Sequence, residues 1–103
     1  TGRGQHLDMA LPDCATALLA NQAMNQLATG IAPTRLGNAH PNIVPYQVFE
    51  AADGHMILAV GNDGQFASLC EILDLPGTAS DPRFATNAGR VENRDALTEL
   101  LSL

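Results

Sequence analysis

Along the chain, Leu7, Met9 and Leu11 alternate with His6, Asp8 and Ala10. A period of two predicts a half-buried strand over this opening segment. Pro12 and Asp13 then open a helix, because proline is pre-set for a first turn and a carboxylate suits the positive end. Its apolar face runs through Ala15, Leu18, Leu19, Ala23, Met24 and Leu27, and Gly30 supplies the stop. Asn21, Gln22, Asn25 and Gln26 make the other face polar but uncharged, which suits packing on another protein surface.

Residues 31–45 carry Pro33, Gly37, Asn38, Pro41 and Pro45 with no apolar period. They predict a loop about fifteen residues long, at the upper edge of ordinary connections. A plain linker and a functional loop fit this composition equally well. Tyr46–Ala51 and His55–Val60 are rich in β-formers and flank Asp53-Gly54, a hairpin signal. Asn62 or Asp63 can cap the next helix, in which Phe66, Leu69, Cys70 and Leu73 share one face. Pro76-Gly77 ends it. Thr78–Val91 reads as irregular, and a last helix from about Asn93 lines up Leu97, Leu100 and Leu101. This stretch therefore reads as α+β. Its order is strand–helix, long loop, hairpin and two further helices. The abrupt apolar ends read as cuts through a longer protein.

Charge narrows the function classes. All 5 basic residues are Arg, against 11 acidic ones, for a net charge of −6. Without clustered Lys and Arg the chain is not expected to bind nucleic acid. Its longest apolar run, Met56–Val60, is far short of the ~20 residues that span a bilayer, so no membrane partner is expected. A cytoplasmic setting follows, with Cys14 and Cys70 as buried reduced thiols among apolar neighbours. His6, His40 and His55 lack metal-ligand spacing, so no metal site is expected. Gly2-Arg3-Gly4 lacks the later glycine of a dinucleotide fingerprint. Asp95 and Glu99, four apart beside Arg94, read as a solvated helix face.

The series of short segments is more specific. Thr1-Gly2-Arg3-Gly4-Gln5 precedes a stretch with Asp8 and Asp13. Gly37-Asn38-Ala39-His40-Pro41 leads to Val44-Pro45-Tyr46-Gln47-Val48-Phe49. Asp53-Gly54-His55, Val60-Gly61-Asn62-Asp63 and Gln65-Phe66 come next. Asp81-Pro82-Arg83-Phe84-Ala85-Thr86-Asn87 and Arg90-Val91-Glu92-Asn93-Arg94 complete the series. In this order the segments resemble the class III CoA-transferases, the family of formyl-CoA transferase, carnitine-CoA transferases and α-methylacyl-CoA racemase. The resemblance spans essentially the whole chain.

It implies an α/β fold class and a two-domain subunit, with residues 1–30 ending a large Rossmann-like domain. Residues 31–45 would connect the domains and face the active site, and residues 46–103 would begin a small α+β domain. In the family, two subunits interlock as a homodimer. The resemblance implies coenzyme A and acyl-CoA as substrates, with a carboxylic acid acceptor and no permanently bound cofactor. The family's nucleophilic Asp lies upstream of the Gly-Arg-Gly-Gln segment, so no catalytic residue is expected in this chain; Asp8 and Asp13 are structural. Gly37, Asn38, His40 and Pro41 form the implied substrate loop. Only Gly37 keeps a glycine where the formyl-CoA transferase branch has a glycine-rich flap. The Gly-Asn-x-His-Pro form is similar to transferases of dicarboxylic or other short acyl groups. His40 has two readings, a hydrogen-bond partner for an acyl oxygen or a residue that shapes the loop. Two alternatives stand beside CoA transfer: α-proton exchange of the racemase type, and an isolated chain that is an inert assembly module.

Overall fold

The computed structural model describes residues 2–102 of the chain. They fall into two compact units, one up to Arg35 and one from Leu36 onward.

In the first unit, residues 2–10 form no strand, which corrects the expectation from the alternating pattern. Extended backbone becomes a strand only when a neighbour takes up its N–H and C=O groups. The sheet among the described residues contains only the later hairpin. Leu7 and Met9 consequently stay exposed. Leu11 instead begins α1 (Leu11–Leu18), with Pro12 in its first turn, where a missing N–H goes unnoticed. The single helix expected to run on to Gly30 is two, because α2 (Ala20–Thr29) starts after a break at Leu19. Ala20 has φ 44°, a left-handed conformation that costs an L-residue about 1–2 kcal/mol. No Gly or Pro marks this break, so the apolar period runs through it. Leu18, Leu19, Met24 and Leu27 are exposed rather than buried. Gly30 does close α2 as expected, at φ 73° with its N–H donating to Gln26 O at 2.8 Å.

The second unit opens on the 36–45 loop and the expected hairpin. β1 (Tyr46–Ala51) and β2 (Gly54–Ala59) pair antiparallel, from Tyr46↔Ala59 to Ala51↔Gly54. Ala52 and Asp53 form the two-residue turn, and Gly54 already belongs to β2 at φ 156°. α3 (Asp63–Ile72) is capped at Asn62, whose Oδ1 accepts the Gln65 N–H at 2.9 Å. Gln65 Oε1 reaches back to the Gly61 N–H at 2.7 Å, so two otherwise orphan donors are satisfied together. Phe66 and Cys70 turn inward from α3, while Leu73 leaves the core.

Residues 78–91 are more ordered than their sequence suggests. A 3₁₀ turn at Thr78–Ser80 is followed by α4 (Asn87–Glu92), capped by Thr86 Oγ1 on the Gly89 N–H. The helix escaped the pattern because its inward positions hold Gly89 and Arg90 rather than leucines. α5 (Arg94–Leu101) buries Leu97 and half-buries Leu100 and Leu101.

Val44, Val60, Phe66, Cys70, Phe84 and Leu97 form the core of this unit. Within it lies Arg90, at 0% exposure. Its Nε donates to Val44 O at 2.7 Å, Nη1 to Phe84 O at 2.9 Å and Nη2 to Asp63 Oδ1 at 2.8 Å. The guanidinium also lies over the Phe66 ring, 4.5 Å from its centroid, a cation–π contact. Burial pushes the Cys70 thiol up, with the Arg90 charge partly opposing it. Cys70 is buried as expected, but Cys14 is exposed because α1 buries no residue; both thiols are free.

At the surface, Asp81 is held below the ordinary carboxylate range by hydrogen bonds from the Arg83 side chain and backbone. A depressed carboxyl stabilises the fold above its unfolded pKa. That contribution is lost as pH falls through the lower folded value.

Two substitutions test this architecture by chemical denaturation. Arg90→Ala strands two carbonyls and opens a cavity, so a loss of about 3–5 kcal/mol is expected. Asp63→Asn should cost no more than about 1 kcal/mol, because the Asp63 side chain is 55% exposed. Equal losses for both would contradict the anchoring role of Arg90. Gly89→Ala sets two effects against each other. Helix propensity favours Ala by about 1 kcal/mol. A Cβ at Gly89 would nevertheless stand 2.8 Å from Arg83 O, a backbone atom that cannot swing away. Overpacking should win, with a net loss of about 1–3 kcal/mol; a stabilised variant would refute this.

Candidate functional site

The 36–45 loop has a defined path. Its first turn closes with Ala39 N–H donating to Leu36 O at 3.0 Å, and Gly37 supplies the positive φ of 59°. The loop then runs beside β1. Asn38 Oδ1 accepts the Val48 N–H at 3.0 Å, and His40 N–H donates to Tyr46 O at 2.9 Å. These bonds occupy the edge of β1 that β2 leaves open, much as a third strand would. The Val44–Pro45 peptide, at the end of the loop, is cis.

Three polar side chains from α4 and α5 hold the loop by its backbone. Asn87 accepts the Val44 N–H through Oδ1 at 3.2 Å and donates from Nδ2 to Asn42 O at 2.8 Å. Arg90 Nε holds Val44 O. Arg94 Nη2 donates to both His40 O and Pro41 O at 2.9 Å. Asn87, Arg90 and Arg94 stand at i, i+3 and i+7, one face of helical spacing continued across the junction of α4 and α5. A cation on a carbonyl makes a stronger bond than a neutral donor, so this grip is stiff. The Nη1 of Arg94 is buried with no hydrogen-bond partner among the described residues.

Gly37, Asn38, His40 and Pro41 all lie in this segment. Gly37 makes the turn, Asn38 anchors to β1, and Pro41 offers its carbonyl to Arg94. His40 is half-buried, accepts the Asn42 N–H on Nδ1 at 3.1 Å and stacks on Tyr46 with ring centroids 5.4 Å apart. Sequence reading missed the residues that hold the loop. Arg94 is no part of a solvated acidic face, since its guanidinium is committed to two carbonyls. The usable signal was the Asn-x-x-Arg-x-x-x-Arg spacing itself, in a chain with few other cations. Among the described residues no group of three or more His, Cys, Asp or Glu is placed to hold a metal ion. No helix there is long and apolar enough to cross a membrane.

The chain is 56% identical over 102 residues to the succinate–glutarate CoA-transferase of Agrobacterium fabrum, covering 99% of this chain and 26% of that protein. It is 43% identical to the acetyl-CoA:oxalate CoA-transferase of Acetobacter aceti, covering 98% of this chain and 26% of that protein. A crystal structure of a CaiB/BaiF family protein from Brucella suis superposes with a TM-score of 0.66 at 59% identity, covering 98% of this chain and 27% of that one. The chain thus spans about a quarter of the length of the relatives it matches. Its residues 1–103 match the family described as CoA-transferase family III, and the chain belongs to that family.

Proposed function

We propose that the parent protein moves CoA between an acyl-CoA and a free carboxylic acid, with a dicarboxylic acid as the preferred acceptor. The family match along the entire chain carries this reading. The choice of acceptor is supported by the relative at 56% identity, which is named for succinate and glutarate. In this reading residues 1–30 end a large domain, residues 31–45 connect the domains, and residues 46–103 open a small one. Two subunits assemble as an interlocked homodimer. Residues 37–41 face the acyl group.

The chemistry follows from the weakness of a carboxylate as a nucleophile. An enzyme Asp outside this chain attacks the thioester carbonyl and expels CoA thiolate, leaving a mixed anhydride. The thiolate then attacks the Asp acyl carbon, releasing the first acid and forming an enzyme thioester. The acceptor carboxylate displaces CoA to give a second anhydride, and CoA thiolate takes the new acyl group from it. Each step preserves acyl activation, and each needs hydrogen-bond donors at the developing oxyanion. The 37–41 loop supplies polar groups to that region, while the nucleophile comes from the rest of the parent chain. The isolated chain is accordingly inert.

CoA exchange measured on the full-length protein with several acid acceptors tests the reading. Exchange is expected with C4–C5 dicarboxylates and should vanish when the upstream Asp is replaced. Solvent-deuterium incorporation at the α-carbon of a branched acyl-CoA, without exchange, would assign the racemase reaction instead. Turnover by the purified 103-residue chain would contradict its inertness.

A further inference from the structure

The Pro41–Asn42 peptide has a partner on each side. Its carbonyl accepts from Arg94 Nη2 at 2.9 Å, and its N–H donates to His40 Nδ1 at 3.1 Å. A trans peptide is planar, with C=O and N–H pointing in opposite directions. Arg94 therefore fixes the plane from one side, and the imidazole is held on the other. The same Nη2 grips the carbonyl of His40 itself at 2.9 Å. Tyr46 stacks on the ring with the two planes 10° apart, which limits rotation about the side-chain bonds. An amide nitrogen always brings its hydrogen, so the Nδ1 that receives it must offer a lone pair. The neutral ring then carries its proton on Nε2.

We propose that Arg94 is a positioning residue that acts through the Pro41–Asn42 peptide plane to hold His40 as an Nε2–H donor for a carboxylate or thioester oxygen of the acyl substrate. The proposal rests on the reading of residues 37–41 as substrate-facing. It assigns His40 a definite chemistry. A ring in this tautomer has no lone pair at Nε2, so it cannot remove a proton there. It donates a hydrogen bond to an anionic or developing oxyanionic oxygen, which is the demand of acyl transfer rather than of α-proton abstraction. It gives a residue of α5, whose side chain lies on the backbone of a distant loop, a part in the reaction.

The test uses the full-length enzyme labelled with ¹⁵N-histidine, since two-bond ¹H–¹⁵N correlations identify the protonated ring nitrogen without reference to activity. The expected spectrum shows His40 with a lone-pair Nδ1 and a protonated Nε2. In Arg94→Ala the two tautomers should mix; in Arg94→Lys, which restores one cationic donor, the wild-type pattern should partly return. Kinetics supply the second arm. His40→Gln can place an N–H near the Nε2 position, whereas His40→Asn reaches only to Nδ1. His40→Asn should lose at least tenfold more kcat/KM for the acceptor acid than His40→Gln. A wild-type ring protonated on Nδ1, an Arg94→Ala ring with unaltered tautomer, or equal losses for the two His40 variants would overturn the proposal. Absence of CoA exchange by the wild-type enzyme would instead overturn the substrate reading, while the tautomer result would stand as measured.

Discussion

The second unit depends on a guanidinium that has given up water. Removing an arginine from solvent costs several kcal/mol unless each hydrogen-bonding direction finds an acceptor. Each of the three Arg90 nitrogens finds an acceptor, in a loop carbonyl, a second carbonyl before α4 and a carboxylate at the start of α3, while Phe66 covers the guanidinium face. Those acceptors come from three stretches of chain that would otherwise share only a small apolar core. The arrangement favours one geometry over its competitors, because a displaced segment would leave a charge buried and unpaired. Asp63 lies partly in water, so its contribution is directional more than energetic.

The first unit belongs to a chain that spans about a quarter of its relatives' length, and its helices have no buried core of their own. α1 and α2 bury no residue within it, and their apolar side chains face outward. Local bonds hold the helices, as in Thr16 Oγ1 to Pro12 O and Thr29 Oγ1 to Asn25 O. Short helices supported only by such bonds are marginal in water. The difference between the units is therefore one of partners rather than of helix-forming tendency.

What could be read from the sequence divides along the same line. The hairpin, the Asn62 cap and the Gly30 stop were legible because each is encoded by neighbouring residues through turn chemistry. The leading strand failed because alternation specifies a conformation but cannot supply the strand that must pair with it. α4 failed because its inward face is polar, and a helix anchored by Asn87 and Arg90 shows no apolar period. The loop residues Gly37, Asn38, His40 and Pro41 were legible as a motif. The side chains that hold them were not, since Arg94 meets His40 across more than fifty positions of chain and no local pattern reports that distance.

The hydrogen bonds from Asn87, Arg90 and Arg94 to residues 40–44 all go to main-chain atoms. Every residue type offers the same carbonyl, so these particular bonds do not depend on the side chains of residues 40–44, whereas Gly37, Asn38 and the His40 ring shape the loop through their own chemistry. The bonds that locate residues 40–44 and the side chains those residues display therefore belong to separate parts of the chain.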